Sequence, residues 1–334
     1  MKNIAIIGGG SWGSALANLL VDNNKNVLIY DNDKATIDEI NQFHTNKSKL
    51  NEAKLNKEIV ASNDLIKVLN HSKIIVLAVP TSVTRIVLED IRQVLTEEKI
   101  FCNVAKGLEL KTNKRVSEIV YDVIDNDLIS GFVSLTGPSH AEEVVVRKLT
   151  SIVAASENIN HAKLIQEIFS NTDYFRVYTS TDLIGAELGG SLKNIYAIAS
   201  GMLDGLGYGI NAKSALITRG LIEMKRIAIK LGAQEETLNG LVGVGDLIVT
   251  CMSRFSRNYS AGLLIGEGDD LKTSLSKMTM VVEGVKTCKT AYFLARELKI
   301  QTPIIDAVYN VLFREIEPKI EIAKLMARDL KSEQ

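Results

Sequence analysis

The sequence has almost no net charge, few cysteines and no long run of apolar residues, and each shortage excludes a class of protein. The 334 residues carry a formal net charge of −1 at pH 7, so there is no broad positive field for nucleic acid or an anionic membrane. The three cysteines, Cys102, Cys251 and Cys288, are far apart and lack C-x-x-C spacing. They argue against a disulfide framework or a zinc site, so we expect reduced thiols, no metal centre and a cytoplasmic location.

Membrane insertion is also not expected. No stretch approaches the roughly 18 consecutive apolar residues of a membrane-spanning helix, and the apolar run near the N-terminus is too short for a signal peptide. Hydrophobic residues make up 46% of the chain and charged residues 24%, which is typical of a globular protein. The length is comfortable for two domains.

The first half of the chain alternates short apolar runs with amphipathic stretches. Helical patterns at Trp12–Asp22 and Thr84–Leu95 fill gaps between runs that are mostly β-branched, as in parallel strands buried on both faces. This alternation predicts an α/β fold with a Rossmann-like, doubly wound parallel sheet. The predicted strands are Ile4–Ile7, Val27–Tyr30, Ile74–Val79, Ile100–Val104 and Val133–Leu135.

The character of the sequence changes near residue 180. Glycines and long amphipathic stretches dominate from there on, which predicts an all-α C-terminal domain. We therefore divide the chain into a dinucleotide-binding domain at 1–180 and a helical substrate and catalytic domain at 181–334. Helices are predicted at 182–204, 211–231, 259–265, 283–298 and 304–314.

The first predicted strand ends in a glycine motif that indicates a dinucleotide. Gly8, Gly10 and Gly13 match G-x-G-x-x-G between a strand and a helix, the context in which glycines admit a pyrophosphate to the helix N-terminus. Asp31 ends the second strand, where a carboxylate commonly binds the adenosine ribose hydroxyls. Asn32 and Asp33 follow it, and no arginine is present for a 2′-phosphate. The pattern favours NAD(H) over NADP(H).

Two candidate acid–base residues follow later strands. Lys106 comes after Ile100–Val104, and ligands of open α/β sheets gather at the carboxyl ends of strands. It either faces the cofactor crevice or is a surface lysine at a turn. His140 follows Val133–Leu135 and suits either acid–base chemistry or a polar loop beside a helix.

A third candidate, Lys193, lies among residues with little or no side chain. In steps of four the helix shows Gly185, Gly189, Lys193, Ala197 and Gly201, which predicts a nearly straight stripe on one face. Each interior glycine costs about 1 kcal/mol relative to alanine, so something approaches the helix closely. Either the stripe is a seam for another helix and Lys193 points to solvent, or the neighbour is a ligand and Lys193 is its proton donor.

Anion-binding residues are concentrated between residues 243 and 258. Asp246 follows a flexible Gly-Val-Gly turn, and the segment from Ser253 to Asn258 carries two arginines among serine and asparagine donors. Such a set suits a phosphate group. Arg254 and Arg257 are equal candidates from the residues alone, and a solvated charged loop is the alternative.

Taken in order, these segments resemble the bacterial NAD(P)-dependent glycerol-3-phosphate dehydrogenases. The resemblance covers nearly the whole chain, and its specificity comes from the ordered set. The matching segments are Gly8–Gly13, Val104–Leu108, Gly137–Glu143, Glu187–Asn194, Gly243–Cys251, Ser256–Asn258 and Met280–Gly284.

The resemblance implies reduction of dihydroxyacetone phosphate to sn-glycerol 3-phosphate with NAD(H) or NADP(H), with Lys193 as the catalytic residue. It also implies a cytoplasmic homodimer that supplies phospholipid synthesis. The implied substrate positions are Lys106, Gly137, Ser139, Lys193, Asp246, Ser256, Arg257 and Asn258. The implied cofactor positions are Ser11, Trp12, Lys106, Ala141, Arg257, Val281 and Glu283. They add to the glycine motif and Asp31, which the residues themselves indicate.

The sequence departs from this family at the predicted adenosine end. Many members carry histidine or arginine where this chain has Asn32 and Asp33, and many carry tyrosine where Lys49 precedes Leu50. Lys49 could partly replace the missing cation, so the departures bear on cofactor choice and not on the chemistry.

These implications define a mechanism and leave two alternatives. Burial among glycine and alanine would lower the pKa of Lys193 toward neutrality, and the glycine stripe would leave room for substrate and nicotinamide. A β-hydroxyacid dehydrogenase is one alternative, although that family spaces its lysine and asparagine about one helical turn apart, whereas Lys193 and Asn194 are adjacent. A non-catalytic NAD(H) sensor is the other, and it would not need Lys193, Asp246 and Arg257 together.

Overall fold

The strands of the N-terminal half form one sheet. The computed structural model of the chain describes residues 2–278, 280–330 and 332–333. Across the sheet the strand order is β3-β2-β1-β4-β5-β6-β7-β8. The strands are β1 Asn3–Ile7, β2 Asn26–Tyr30, β3 Val60–Ser62, β4 Ile74–Leu77, β5 Lys99–Asn103, β6 Ile129–Thr136, β7 Thr150–Ala155 and β8 Phe175–Ser180.

The doubly wound sheet is confirmed, but it is not parallel throughout. Strands β1 to β6 pair in parallel, whereas β7 pairs with β6 antiparallel and carries β8 in parallel with itself. The chain returns from Thr136 to Thr150 through little more than one short helical turn. Antiparallel neighbours can be joined without a crossover helix, which parallel neighbours need.

Helices cover both faces of this sheet. Along β1, Ile4 and Ile6 enter one core cluster while Ala5 and Ile7 enter the other, because successive side chains point to opposite faces. Burial on both faces explains why the strand is apolar throughout. The helices are α1 Ser11–Asp22, α2 Lys34–Phe43, α3 Lys47–Leu50, α4 Leu65–His71, α5 Thr81–Val94, α6 Val116–Val123, α7 Ala141–Val144 and α8 Ile159–Phe169.

The rest of the described chain is helical, as predicted, and is built around α9. This helix is buried along nearly its whole length, and α10, α12, α13 and α15 pack around it. The predicted helices overlap the observed ones. These are α9 Leu183–Gly205, α10 Ile210–Lys230, α11 Glu235–Asn239, α12 Asp246–Met252, α13 Arg257–Gly266, α14 Leu271–Ser276, α15 Glu283–Glu297, α16 Pro303–Arg314 and α17 Pro318–Met326.

A buried carboxylate ties α9 to the sheet-bearing half. Glu187 accepts hydrogen bonds from the backbone N–H of Ser117 at 2.8 Å and from its hydroxyl at 2.5 Å, and it pairs with Arg115 at 2.9 Å. These donors satisfy a carboxylate that would otherwise be costly to bury. The N-terminus of α6 is thereby fixed against α9, six residues before Lys193. Among the helices described, none combines the length and apolar character needed to cross a membrane.

Candidate active site

The glycine loop between β1 and α1 is shaped by close backbone contacts on one side and open space on the other. Gly8 has φ +112°, a conformation that favours glycine. A Cβ on Gly13 would overlap the carbonyl oxygen of Gly8, whereas a Cβ on Gly10 would meet no atom within 4 Å. The N-terminus of α1 therefore faces a space that a pyrophosphate can enter.

Buried polar groups beside this loop fit a dinucleotide. The indole N–H of Trp12 is buried and has no hydrogen-bond partner among the described residues, although buried donors are normally paired. Ser11 is buried, and its hydroxyl lies 3.9 Å from the sulfur of Met280. Both residues sit in the first turn of α1, where a bound cofactor would supply partners.

Asp31 and Lys49 lie at the adenosine end predicted for the cofactor. Asp31 accepts the N–H of Gly9 at 2.7 Å through Oδ2 and that of Asp33 at 2.9 Å through Oδ1, and each oxygen keeps lone-pair capacity. Hydrogen bonds from Thr36 and from the backbone of α2 lower the pKa of Asp33, and the charge of Lys49 contributes. Lys49 is thus near enough to Asp33 to influence this end of the crevice.

Lys193 is buried, so the expectation that it points to solvent is wrong. Its side chain is 5% exposed. The ammonium donates to the carboxylate of Asp246 and, at 2.7 Å, to the hydroxyl of Thr250. Asp246 is fully buried in the first turn of α12. The catalytic candidate is therefore held by two residues of one neighbouring helix.

Lys106 reaches the same carboxylate from the sheet. Its ammonium donates to Asp246 Oδ2 at 3.0 Å and to the carbonyl oxygen of Gly137 at 2.9 Å. One carboxylate thus bridges two ammonium groups, one on the loop after β5 and one on α9. Lys106 faces this crevice and is not a surface lysine at a turn.

The surroundings of Lys193 shift its proton affinity. Burial lowers the pKa of Lys193 to about 7, the charge of Asp246 opposes this effect, and the nearby charge of Lys106 adds to it. An acid–base group works best when its pKa lies near the operating pH. Lys193 is consequently able to hold or release a proton near neutrality.

The glycine stripe on α9 does not make room for ligands, which corrects the prediction. A Cβ on Gly189 would press on Leu238 and Val242 at 3.0–3.1 Å, and one on Gly201 would overlap the carbonyl of Tyr259. At 3.6 residues per turn, each step of four overshoots a full turn by about 40°. Gly185 and Gly201 consequently lie on different sides of the helix, and the glycines admit neighbouring protein.

Gly190, outside that stripe, is the glycine that faces the candidate site. A Cβ there would lie 2.8 Å from the hydroxyl of Thr136 and within 4 Å of the Lys106 side chain. The close approach between α9 and the end of β6 therefore depends on Gly190. Neither this contact nor its position could be read from the period-four pattern.

The residues predicted to bind phosphate gather at the start of α13. Ser256 caps the helix by accepting the N–H of Tyr259 at 3.2 Å. Asn258 is buried, donates to Asn194 Oδ1 at 3.0 Å and accepts the N–H of Gly284 at 2.8 Å. The helix N-terminus and these side chains form a polar surface suited to an anion.

The two candidate arginines lie in different surroundings. Arg257 is exposed, and its Nη1 lies 3.5 Å from the sulfur of Met280, the atom that also approaches Ser11. The charge of Arg254 affects Asp204 instead. Although burial would raise the pKa of Asp204, Lys213 and Tyr259 together with the charge of Arg254 lower it. The structure thus places Arg257, and not Arg254, beside the cofactor crevice.

Sequence reasoning missed two residues of this cluster. Thr250 donates to the backbone carbonyl of Asp246 at 2.5 Å and accepts from Lys193. Asn194 donates to the carbonyl of Lys106 at 3.4 Å and joins it to α13 through Asn258. The i, i+4 spacing of Asp246 and Thr250 was the available signal, since that spacing puts both side chains on one helix face.

The loop after β6 brings its predicted residues to the same edge. Gly137 has φ +145°, and the hydroxyl of Ser139 donates to its carbonyl at 3.0 Å. His140 Nε2 lies 3.5 Å from the carbonyl of Val249, and Ala141 begins α7. Burial, together with the charges of Lys193 and Lys106, lowers the pKa of His140 to about 4. This imidazole is therefore neutral near pH 7.

The start of α15 approaches the crevice from the helical half. Glu283 Oε1 accepts the N–H of Thr81 at 3.1 Å, and burial raises the pKa of Glu283 above its ordinary value. Val281 is exposed just before this helix. No three His, Cys, Asp or Glu side chains within the described ranges are grouped as metal ligands would be.

Comparisons with known proteins agree over the whole chain. The models for the N-terminal and C-terminal parts of NAD-dependent glycerol-3-phosphate dehydrogenase match residues 3–162 and 182–323. Proteins named glycerol-3-phosphate dehydrogenase [NAD(P)+] from Staphylococcus aureus (strain bovine RF122 / ET3-1) and Staphylococcus epidermidis are each 49% identical over 333 residues, covering 100% of both chains. The crystal structure of the Coxiella burnetii glycerol-3-phosphate dehydrogenase has a TM-score of 0.92 at 34% identity, covering 98% of this chain and 99% of that one.

Proposed function

The chain belongs to the family of NAD-dependent glycerol-3-phosphate dehydrogenases, and from that premise we propose how its residues divide the reaction. The enzyme interconverts dihydroxyacetone phosphate and glycerol 3-phosphate with a nicotinamide dinucleotide. The observation that supports the division most directly is the buried cluster of Lys193, Asp246 and Lys106 at the carboxyl edge of the sheet.

Lys193 is the general acid in the reduction direction. When bound, the reduced nicotinamide supplies the hydride to the ketone carbon. Lys193 donates a proton to the carbonyl oxygen, on which negative charge develops. Asp246 and Thr250 hold its ammonium in place, and Lys106 stabilises the same developing charge. In the reverse direction the neutral amine of Lys193 takes the proton from the substrate hydroxyl.

Arg257, with the N-terminus of α13, binds the substrate phosphate. Ser256 and Asn258 lie at the same helix start, and a guanidinium can form two parallel hydrogen bonds with a phosphate. Fixing the phosphate there orients the ketone toward Lys193, and such orientation can supply several kcal/mol of the barrier. Gly137 and Ser139 complete the substrate site from the loop after β6.

The cofactor occupies the crevice that begins at the glycine loop. Gly8, Gly10 and Gly13 admit the pyrophosphate, Ser11 and Trp12 contact it from α1, and Asp31 binds the adenosine ribose. Ala141, Val281 and Glu283 line the remaining length, and Lys106 and Arg257 contact both ligands. NAD(H) is preferred over NADP(H), because the carboxylates of Asp31 and Asp33 would repel a 2′-phosphate. The positive charge of Lys49 would offset only part of this repulsion.

The cellular setting follows from the family. We place the enzyme in the cytoplasm as a homodimer that supplies glycerol 3-phosphate for phospholipids. We also place the boundary between a dinucleotide-binding domain (1–180) and a catalytic domain (181–334) in the short segment between β8 and α9. Sedimentation of the purified protein tests the dimer.

The test of the function is NADH oxidation on addition of dihydroxyacetone phosphate, run beside the same assay with NADPH. We expect turnover with both cofactors and a higher kcat/KM with NADH. Absence of turnover above background would favour a non-catalytic NAD(H) sensor. A clear advantage for NADPH would instead refute only the cofactor preference.

A further inference from the structure

A buried tyrosine anchors the first turn of α13 to the end of α9. Tyr259 is 4% exposed, and its hydroxyl donates to Asp204 Oδ2. Lys213, in the first turn of α10, donates to the same oxygen at 2.8 Å, and its ammonium lies 5.2 Å from the centroid of the Tyr259 ring. The carboxylate of Asp204 therefore joins three helices at one point.

The main chain of Tyr259 is held as closely as its side chain. A Cβ on Gly201 would overlap the carbonyl oxygen of Tyr259, and a Cβ on Gly262 would overlap that of Ile198. The N–H of Tyr259 donates to the hydroxyl of Ser256 at 3.2 Å. At this turn α13 thus meets α9 backbone to backbone, and the side chain of Tyr259 fixes the same turn from its other end.

The turn that Tyr259 anchors also carries Arg257 and Asn258. Asn258 is buried and has partners on α9 and at the start of α15. Arg257 is exposed, and its Nη1 lies 3.5 Å from the sulfur of Met280, which is a weak acceptor. The direction in which the guanidinium points therefore depends on the main chain of this turn more than on contacts of its own.

We propose that Tyr259 and Asp204 are positioning residues for the substrate phosphate. They do not touch the substrate, and they act by fixing the main chain from which Arg257 reaches it. Burial and the hydrogen bond to Asp204 raise the pKa of Tyr259 to about 12, so near neutral pH the phenol keeps its proton and remains the donor. This inference rests on the proposed function, because it requires Arg257 to bind the phosphate.

The test compares a phosphorylated substrate with an unphosphorylated one. Tyr259→Phe keeps the buried ring and removes only the hydroxyl. We expect kcat/KM for dihydroxyacetone phosphate to fall about 3- to 10-fold, mainly through a higher KM, because a displaced Arg257 binds the phosphate less well. Turnover of unphosphorylated dihydroxyacetone and the affinity for NADH should fall far less.

A double-mutant cycle separates positioning from a general loss of packing. If Tyr259 acts through Arg257, adding Tyr259→Phe to Arg257→Ala should lower kcat/KM little further, because the group being positioned is gone. A merely structural role would lower kcat/KM by the same factor with and without Arg257. Asp204→Asn removes the charge that Tyr259 and Lys213 share, and it provides the same cycle if Tyr259→Phe does not fold.

Tyr174→Phe is the matched control. Tyr174 is 6% exposed, its hydroxyl donates to Asp22 at 2.7 Å, and Arg147 pairs with the same carboxylate at 2.8 Å. A tyrosine, a carboxylate and a cation are thus arranged in the same way on elements other than α13, between the end of α1 and the start of β8. Its kcat/KM for dihydroxyacetone phosphate should equal that of the unmodified chain.

The results that would overturn the proposal differ from those that would overturn the function. Unchanged kcat/KM in both Tyr259→Phe and Asp204→Asn would remove the positioning role and leave the dehydrogenase function intact. An equal factor of loss with and without Arg257 would assign the cluster to packing alone. No effect of Arg257→Ala on dihydroxyacetone phosphate would remove the phosphate contact and this inference together. Absence of turnover in the unmodified chain would remove the proposed function itself.

Discussion

A Cβ on Gly10, in the loop after β1, would meet no atom within 4 Å, whereas a Cβ on Gly201, in α9, would overlap the carbonyl oxygen of Tyr259. Both glycines belong to motifs that suggest close approach to a ligand. In the sheet-bearing half the omitted side chain leaves space for a cofactor. In the helical half it lets α13 pack against α9. A glycine pattern indicates that some group comes close to the backbone. Only the tertiary contacts show whether that group is a ligand or a neighbouring helix.

The two regions also supply different groups to the site. The sheet-bearing half offers backbone N–H groups at the N-terminus of α1, while the helical half offers the buried side chains of Lys193, Asp246 and Thr250. Backbone dipoles at a helix N-terminus suit the pyrophosphate of a dinucleotide, an anion that many different enzymes bind. A buried and charged side-chain cluster suits one proton transfer. This division predicts that binding and chemistry can be damaged separately.

The largest expected effect is on the chemical step. Lys193→Ala should lower kcat by about 10²- to 10⁴-fold, the usual contribution of a general acid, while NADH affinity stays unchanged because the cofactor loop is untouched. Steady-state kinetics and NADH titration measure both, with the exposed Lys230→Ala as control. If kcat survives and only KM rises, Lys193 binds substrate without donating the proton.

The next effect separates the two arginines. Arg257→Ala should lower kcat/KM for dihydroxyacetone phosphate by about 10- to 100-fold, because a hydrogen bond to a charged group is worth about 1.5–3 kcal/mol. Turnover of unphosphorylated dihydroxyacetone should fall far less, because only the contact of Arg257 with the cofactor is lost in that reaction. Arg254→Ala, in the same loop but with its charge acting on the pKa of Asp204, is the matched control. Equal losses on both substrates would contradict a phosphate contact.

The pH dependence reports the charge cluster. Because burial lowers the pKa of Lys193 to about 7, reduction should lose its acid and slow about tenfold per pH unit above that value. The reverse oxidation needs the neutral amine and should slow below it. Lys106→Met removes a neighbouring positive charge, so it should raise the pKa of Lys193 and move both breaks to higher pH. Breaks that do not move would show that the two ammonium groups are not coupled.

The smallest effect is the sharpest test of the glycine comparison. Gly201→Ala should lower the free energy of unfolding by about 1–3 kcal/mol, the cost of overpacking, without changing NADH affinity. Gly10 has φ −70°, which alanine accepts, so Gly10→Ala should keep or raise stability by about 0.4–1 kcal/mol yet weaken NADH binding. Denaturant unfolding and NADH titration measure the pair. Similar outcomes for both variants would remove the distinction drawn between the two regions.

Much of the fold could be predicted because its signals are local. The apolar runs of β1 and β4 and the helical patterns of α9 and α15 depend on residues a few positions apart. Strands β3, β7 and β8 were missed. In β8, Tyr178 is exposed and Thr179 is only partly buried, so the apolar signal there was weak. The antiparallel pairing of β7 with β6 depends on a return path that no local pattern records.

The site was predictable where the elements flanking a motif can be recognised in the sequence beside it. It was not predictable where residues far apart in the sequence meet. Gly8 to Gly13 needed only a strand before and a helix after. The bridge through Asp246 joins Lys193 across 53 positions and Lys106 across 140, and the role of Thr250 depends on that same fold. Likewise, Arg254 and Arg257 could not be distinguished from the sequence, because only the folded structure shows which residues surround each of them.

The sequence by itself determined the alternation of strands and helices, the dinucleotide loop and the membership of a dehydrogenase family, because these reside in short-range patterns and in the order of motifs. The tertiary structure alone decided that Lys193 is buried against Asp246 with its pKa near 7, and that the glycines of the period-four stripe on α9 meet neighbouring protein. The physical reason is that desolvation and charge coupling depend on distance in space. A helical step of four drifts around the axis, and the elements packed against each side decide what its glycines meet.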